Sequence, residues 1–152
     1  MGLFRKEKQM ERVNIIGGGL AGVEAAHQLI LRNIPVRLYE MRPHQTTGAH
    51  KTEYFAELVC SNSLRADGTA NAVGVLKKEM EMNHSLIMKF AREHQVPAGG
   101  SLAVDRFGFS KAISEYIESQ PLIEVVRQEV TRIPEGPTII ASGPLTSSAL
   151  SR

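Results

Sequence analysis

Gly17-Gly18-Gly19-Leu20-Ala21-Gly22 follows the spacing G-x-G-x-x-G and is the stretch of this chain best suited to hold a phosphate. Gly17 permits a tight turn, and Gly19 lets backbone approach a pyrophosphate with no Cβ in the way. Gly22 and Ala26 let a following helix lie close on a sheet. The first turn of that helix, opening at Leu20 and Ala21, offers unpaired N–H groups and a partial positive charge. Further on, Glu40 supplies a carboxylate that can accept both hydroxyls of a ribose and would repel a 2′-phosphate. Cys60 is the sole cysteine and the one strong nucleophile. Read alone, the glycines also fit an ordinary tight turn, and a lone cysteine also fits a small buried hydrophobe. His44 and His50 have a spacing that suggests a metal, but no third ligand accompanies them, so no metal site is expected.

The surrounding elements favour a dinucleotide over a plain turn. Val13–Ile16 is a short β-branched run that reads as a buried strand. Leu20, Val23, Ala26, Leu29 and Ile30 recur at helical spacing up to Arg32, and Val36, Leu38 and Tyr39 make a second strand that ends at Glu40. Strand, helix and strand in this order form a βαβ unit, which crosses over right-handed and makes the strands parallel. From Arg42 to Ala72 the chain is polar and mostly irregular, the kind of long loop that carries function. Helical character returns from Val73 to His94, with Asn83 and His84 as the place to break it, and Pro97 to Gly100 forms a turn. Ser101–Val104 reads as a strand, Phe107–Ser119 as a helix, and Leu122–Val126, Gln128–Ile133 and Thr138–Ala141 as strands. Ser147 to Leu150 reads as the start of a helix, so the domain is expected to be incomplete at its C-terminus.

Composition leaves a single domain of ordinary type. The 152 residues are 42% hydrophobic and 22% charged with a formal charge of +2, which neither demands nor excludes a nucleic-acid partner. One cysteine allows no internal disulfide and points to a reducing compartment. No apolar run approaches the roughly 20 residues needed to span a bilayer, and the start of the chain has no apolar core of a secretory signal. Lys6 stands where myristoylation after Gly2 needs Ser or Thr. The expectation is a cytoplasmic protein without a membrane partner, with residues 1–12 a charged extension and 13–152 the binding domain. Glu24 is expected on the outer face of the first helix, and Met80, Met82 and Met88 in packing. Lys77, Lys78 and Arg92 are expected to form a modest basic surface.

The later segments resemble flavoproteins of the glutathione-reductase type. There a dipeptide like Asp105-Arg106 opens a helix, a valine such as Val130 brings its backbone to the adenine, and a strand runs into a turn like Thr138-Ile139-Ile140-Ala141-Ser142-Gly143. That resemblance implies a Rossmann-like α/β domain, a parallel sheet with flanking helices, and FAD rather than NAD in the glycine turn.

Phe55-Ala56-Glu57-Leu58-Val59-Cys60-Ser61-Asn62-Ser63-Leu64-Arg65 narrows the family. Together with Tyr39-Glu40-Met41-Arg42-Pro43, Pro97-Ala98-Gly99-Gly100 and Ala141-Ser142-Gly143-Pro144-Leu145-Thr146-Ser147 it closely resembles the folate-dependent tRNA uracil-5-methyltransferases, from about Val13 to Leu150. The resemblance implies FAD as cofactor, 5,10-methylenetetrahydrofolate as the source of the methyl carbon, NAD(P)H as reductant and a T-loop uridine of tRNA as substrate. It gives Cys60 a covalent role, with Lys51 and Arg65 as cations able to lower its pKa, and makes Arg42, Asn62, Ser63 and Arg65 candidates for flavin, folate or phosphate contacts. The family's turn usually reads Gly-Ala-Gly where this chain has Gly17-Gly18-Gly19, a change harmless to phosphate approach. Family members also continue well beyond this length, so the chain is expected to form the ADP-binding part and to be inactive alone. Two rival readings remain at this stage: another NAD(P)H-using flavoprotein, including the related tRNA-uridine carboxymethylaminomethyl enzyme, and an inactive truncated product.

Overall fold

The computed structural model describes residues 11–152, so most of the charged extension at 1–12 lies outside the described residues. The elements run β1 (Val13–Ile16), α1 (Leu20–Ile30), β2 (Val36–Glu40), β3 (Ser63–Ala66), α2 (Ala72–Met82), α3 (Leu86–Glu93), β4 (Gln95–Val96), β5 (Ser101–Val104), α4 (Arg106–Ser119), β6 (Ile123–Arg127) and β7 (Thr138–Ile140). A 3₁₀ turn over Gly143–Leu145 follows.

β6, β2, β1 and β7 form one sheet in that order, with every pairing parallel. Ile15, Val36 and Leu38 are fully buried, and along β2 the last two alternate with the half-buried Arg37 and Tyr39, so one face of that strand carries the core. From β1 the chain crosses through α1 to β2 on one side, while β7 lies on the other. β1 and β7 therefore flank a topological switch point, where crevices open beyond the carboxyl ends of the strands. A second, antiparallel sheet of order β3-β5-β4 lies within the crossover from β2 to β6.

Local signals set the helix ends. Asn33 takes a left-handed φ of 58° just past α1 and closes it through hydrogen bonds to the last turn. Ser85 caps α3 by accepting from the Met88 N–H, and Asp105 caps α4 by accepting from the Phe107 N–H. His84, with φ 57°, separates α2 from α3 at the expected break. Val23, Ala26, Leu86, Phe109, Ile113 and Ile117 pack the helices against the sheet in one core.

Several sequence expectations differ from the structure. Gln128–Ile133 is not a strand. β2 ends at Glu40, which pairs with Arg127, so the chain beyond has no ladder partner and turns away. Ser147 to Leu150 forms turns rather than a helix. The irregular loop hides β3, too short for a periodicity signal. Glu24 does not face outward: its Oε2 accepts from Ser85 Oγ at 2.8 Å and from the Ile87 N–H at 3.0 Å, anchoring α3 to α1. Met88 is buried, but Met82 is 72% exposed as the last residue of α2. The basic surface is largely neutralised. Lys77 is buried with its ammonium on the Ala66 and Val73 carbonyls, and Arg92 is clamped by Asp67 and Glu81.

Candidate functional site

The glycine turn leaves β1 and enters α1 beneath a cavity of roughly 310 Å³. Gly17 has φ +108°, and a Cβ there would fall 2.8 Å from the Ala141 carbonyl oxygen, so the turn and the end of β7 touch because position 17 is glycine. A Cβ on Gly22 would overlap the Gly17 carbonyl oxygen, which explains how closely α1 sits on the turn. Gly19 is different, since nothing lies within 4 Å of the Cβ direction. That space belongs to the cavity. Gly19 caps α1 without a side-chain acceptor, the first turn holds no acidic residue, and among the described residues nothing accepts from the Leu20 or Ala21 N–H. These unpaired N–H groups at a helix N-terminus suit an anion.

The rest of the cavity comes from loops at the carboxyl ends of the strands. Tyr39 and Glu40 end β2 and Met41 and Arg42 follow it, Gln128, Glu129 and Val130 follow β6, and Ala141 to Leu145 follow β7. His50, Glu57 and Val59 enter from the long loop. The volume is at the lower end of the usual range for small-molecule sites.

Glu40 and Arg42 form the buried floor. Arg42 is 1% exposed and Glu40 5%. Glu40 Oε1 accepts from the Arg42 N–H at 3.0 Å and from Nε at 2.9 Å, while Oε2 accepts from Nη2 at 3.0 Å and from the Gly18 N–H at 3.1 Å. Arg42 Nη1 donates to Glu57 Oε2 at 3.0 Å and to the Thr52 carbonyl at 3.2 Å. Burial would raise the Glu40 pKa, but hydrogen bonds and charge from Arg42, with the Gly18 N–H, bring it below the ordinary carboxylate value. Glu57 is also lowered: burial opposes the shift, and the Lys51 and Thr52 N–H groups, the Thr52 hydroxyl and Arg42 outweigh it. Burial, with the charge of Arg42, lowers the pKa of His50, whose Nδ1 lies 2.7 Å from Thr47 Oγ1.

Of the residues singled out in the sequence, Gly17, Gly18, Gly19, Leu20, Ala21, Glu40, Arg42, Val130 and Gly143 meet at this cavity, and Gly22 supports it from behind. Arg42 lines the cavity with its guanidinium buried and held by Glu40, Glu57 and the Thr52 carbonyl. Cys60, Asn62, Arg65 and Arg106 do not line the cavity. Cys60 is exposed one residue beyond the lining residue Val59. Its segment is pinned along α4 and β5 by Phe55 N–H to Ser114 Oγ, Ser110 Oγ to the Ala56 carbonyl and Asn62 Nδ2 to the Val104 carbonyl. Asn62 thus holds a strand end, and Arg65 is exposed with a left-handed φ of 68° at an irregularity between β3 and β5. Arg106 is exposed as the first residue of α4. Position 18 also matters for packing: a Cβ there would run into the Phe55 ring and come within 2.6 Å of Glu40 Oε2.

Glu57, His50, Met41 and Ser142 line the cavity without having been singled out for it. Glu57 lies inside the Phe55–Arg65 motif, but no spacing rule reports that it folds back on Arg42. Among the described residues no three His, Cys, Asp or Glu side chains converge as a metal site.

Parallel sheet, glycine turn, helix N-terminus and switch-point cavity together define a Rossmann-type α/β domain. The sequence profile described as Glucose inhibited division protein A matches residues 12–150, and the chain belongs to that family. It is 59% identical over 139 residues to "Methylenetetrahydrofolate--tRNA-(uracil-5-)-methyltransferase TrmFO" of Bacillus cereus (strain Q1), covering 91% of this chain and 32% of that protein. The protein of the same name from Lysinibacillus sphaericus (strain C3-41) is 60% identical over 138 residues, with the same coverage. The chain thus spans about a third of the length of these relatives. Among solved structures, Aquifex aeolicus GidA superposes with a TM-score of 0.62 at 14% identity, over 82% of this chain and 21% of that one, a likeness of fold. No helix among the described residues is long and apolar enough to cross a membrane.

Proposed function

We propose that this chain forms the ADP-binding part of an FAD-dependent tRNA uracil-5-methyltransferase. The enzyme would take its one-carbon unit from 5,10-methylenetetrahydrofolate and its reducing equivalents from NAD(P)H, and act on a T-loop uridine. One observation carries the reading: the glycine turn, the β2 carboxylate and the segment after β6 converge on one switch-point cavity, and the Cys60 segment docks on the same turn through the Ala56 N–H to the Gly18 carbonyl at 2.8 Å. The match to relatives named for this reaction supports the substrate assignment.

The residues fit the group. Gly19 leaves the approach to a pyrophosphate open, Leu20 and Ala21 offer it free N–H groups, Glu40 would take the ribose, and Val130, which lines the same cavity, would bring its backbone to the adenine. FAD would supply the redox chemistry of the transfer. The carboxylates Glu40 and Glu57 against the single cation Arg42 leave this wall anionic, which disfavours a nucleotide with a 2′-phosphate.

Cys60 is the nucleophile of the proposal. Its thiolate would add to uracil C6, and the electron pair displaced from the C5–C6 double bond would make C5 nucleophilic. Elimination after the carbon has been transferred would return the thiolate and release the C5 proton. Exposure of Cys60 suits a macromolecular substrate that must reach the thiol from outside.

The test is 5-methyluridine formation in T-loop RNA by a polypeptide of the relatives' length carrying this sequence. The expected result is product that depends on folate and falls by at least about a hundredfold after Cys60→Ala, as loss of a covalent catalyst implies. Product at an undiminished rate would remove Cys60 from the mechanism, and product without folate would remove the substrate assignment.

A further inference from the structure

Two carboxylates share one guanidinium beneath the cavity, and they belong to different parts of the chain. Glu40 ends β2, whereas Glu57 lies in the loop that leads to Cys60. A carboxylate has about four acceptor directions. In Glu40 all four are filled, three by Arg42 and one by the Gly18 N–H. Glu57 holds the base of the loop by accepting from the Lys51 N–H at 2.8 Å, the Thr52 N–H at 3.2 Å and Thr52 Oγ1 at 2.9 Å. The same loop returns to the glycine turn through Ala56 and Gly18.

We infer that Arg42 and Glu57 are positioning residues that couple occupancy of the ribose site to the order of the segment carrying Cys60. The inference rests on the reading of the cavity as a nucleotide site. A ribose diol that donates to Glu40 must take acceptor directions now held by Arg42 or Gly18. An N–H released from Glu40 cannot be left unpaired in a buried site, and water has little access to a side chain that is 1% exposed. Its other acceptors are Glu57 and the Thr52 carbonyl. Nucleotide binding therefore shifts Arg42 toward Glu57 and tightens the Lys51–Glu57 base of the loop. Linkage makes the effect reciprocal: a loop that has lost its hold on Arg42 weakens the nucleotide by the same factor that the nucleotide would have ordered the loop.

Cys60 reports on the loop without ambiguity, because it is the sole cysteine and is exposed. The experiment measures its rate of reaction with a small aromatic disulfide, with and without saturating ADP, in the unmodified chain and in Glu57→Gln, while calorimetry measures ADP affinity in both. ADP is the probe because Cys60 lies outside the cavity walls. ADP should slow labelling about fivefold in the unmodified chain, the lower end of ordinary coupling between sites. In Glu57→Gln the labelling rate should ignore ADP, and ADP affinity should fall by a similar factor. Should Glu57→Gln fail to fold by circular dichroism, Arg42→Lys takes its place, since an ammonium cannot bridge both carboxylates as a planar fork does. ADP binding with an unchanged labelling rate overturns the coupling alone, as does equal slowing in chain and variant. No ADP binding to the unmodified chain overturns the nucleotide reading and the coupling with it.

Discussion

Replacing Arg42 by methionine tests the buried floor of the cavity most severely. The guanidinium is 1% exposed and neutralises two carboxylates whose side chains are 6% and 7% exposed. Methionine fills much of the same space, so packing changes little and the loss is mainly electrostatic. Removing one partner of a buried ion pair strands the other and costs about 3–5 kcal/mol. With a urea slope of about 2 kcal/mol per molar, the unfolding midpoint should drop by about 1.5–2.5 M. The pH dependence has a definite sign. In the unmodified chain Glu40 and Glu57 have lowered pKa values, so their contribution is fully present above the unfolded value near about 4.3 and is lost as pH falls through the folded one. In Arg42→Met burial acts on Glu40 with its main opposing charge removed, so acidification relieves strain there. The stability gap should therefore be widest at neutral pH and narrow below about pH 5. Urea titrations at pH 7 and pH 4.5 measure it, and a variant within about 1 kcal/mol of the parent at both would mean that the pair behaves as a solvated surface contact.

Two other substitutions probe the supports of the site. Gly18→Ala should lower stability by about 1–3 kcal/mol in a thermal melt, because the new methyl meets the fully buried Phe55 ring and Glu40 Oε2. An unchanged melt would show that Phe55 yields without cost. Glu24→Ala should remove about 1–2 kcal/mol, comparable to losing a helix cap, and should speed hydrogen exchange at Ile87, whose N–H it holds. Unaltered exchange at Ile87 would mean that Ser85 alone fixes the start of α3.

The βαβ unit was legible in the sequence because each part had a local signal: β-branched β1, glycines at fixed offsets, 3.6-residue spacing in α1 and a terminal carboxylate. Glu40 and the Gly17–Gly22 turn meet where the spacing implied. Long-range partnerships were hidden. Nothing in the sequence pairs Arg42 with Glu57 or Glu24 with Ser85, since these contacts depend on how a long loop and a helix hairpin fold back on the sheet. Arg42 in a polar loop reads as a ligand contact or a solvated side chain, and its enclosure by Glu40, Glu57 and Thr52 arises only once the loop has folded back. Gln128–Ile133 has strand-like composition, but composition cannot report that β2 ends opposite Arg127 and leaves the next residues without a ladder.

The central claim is that the switch-point cavity holds the ADP half of FAD. Titration of the purified chain with FAD, followed by flavin absorbance and fluorescence, tests it directly. The account predicts saturable binding of one FAD per chain, in competition with ADP. A chain folded by circular dichroism that leaves the flavin spectrum unchanged and fails to retain FAD on gel filtration would contradict it.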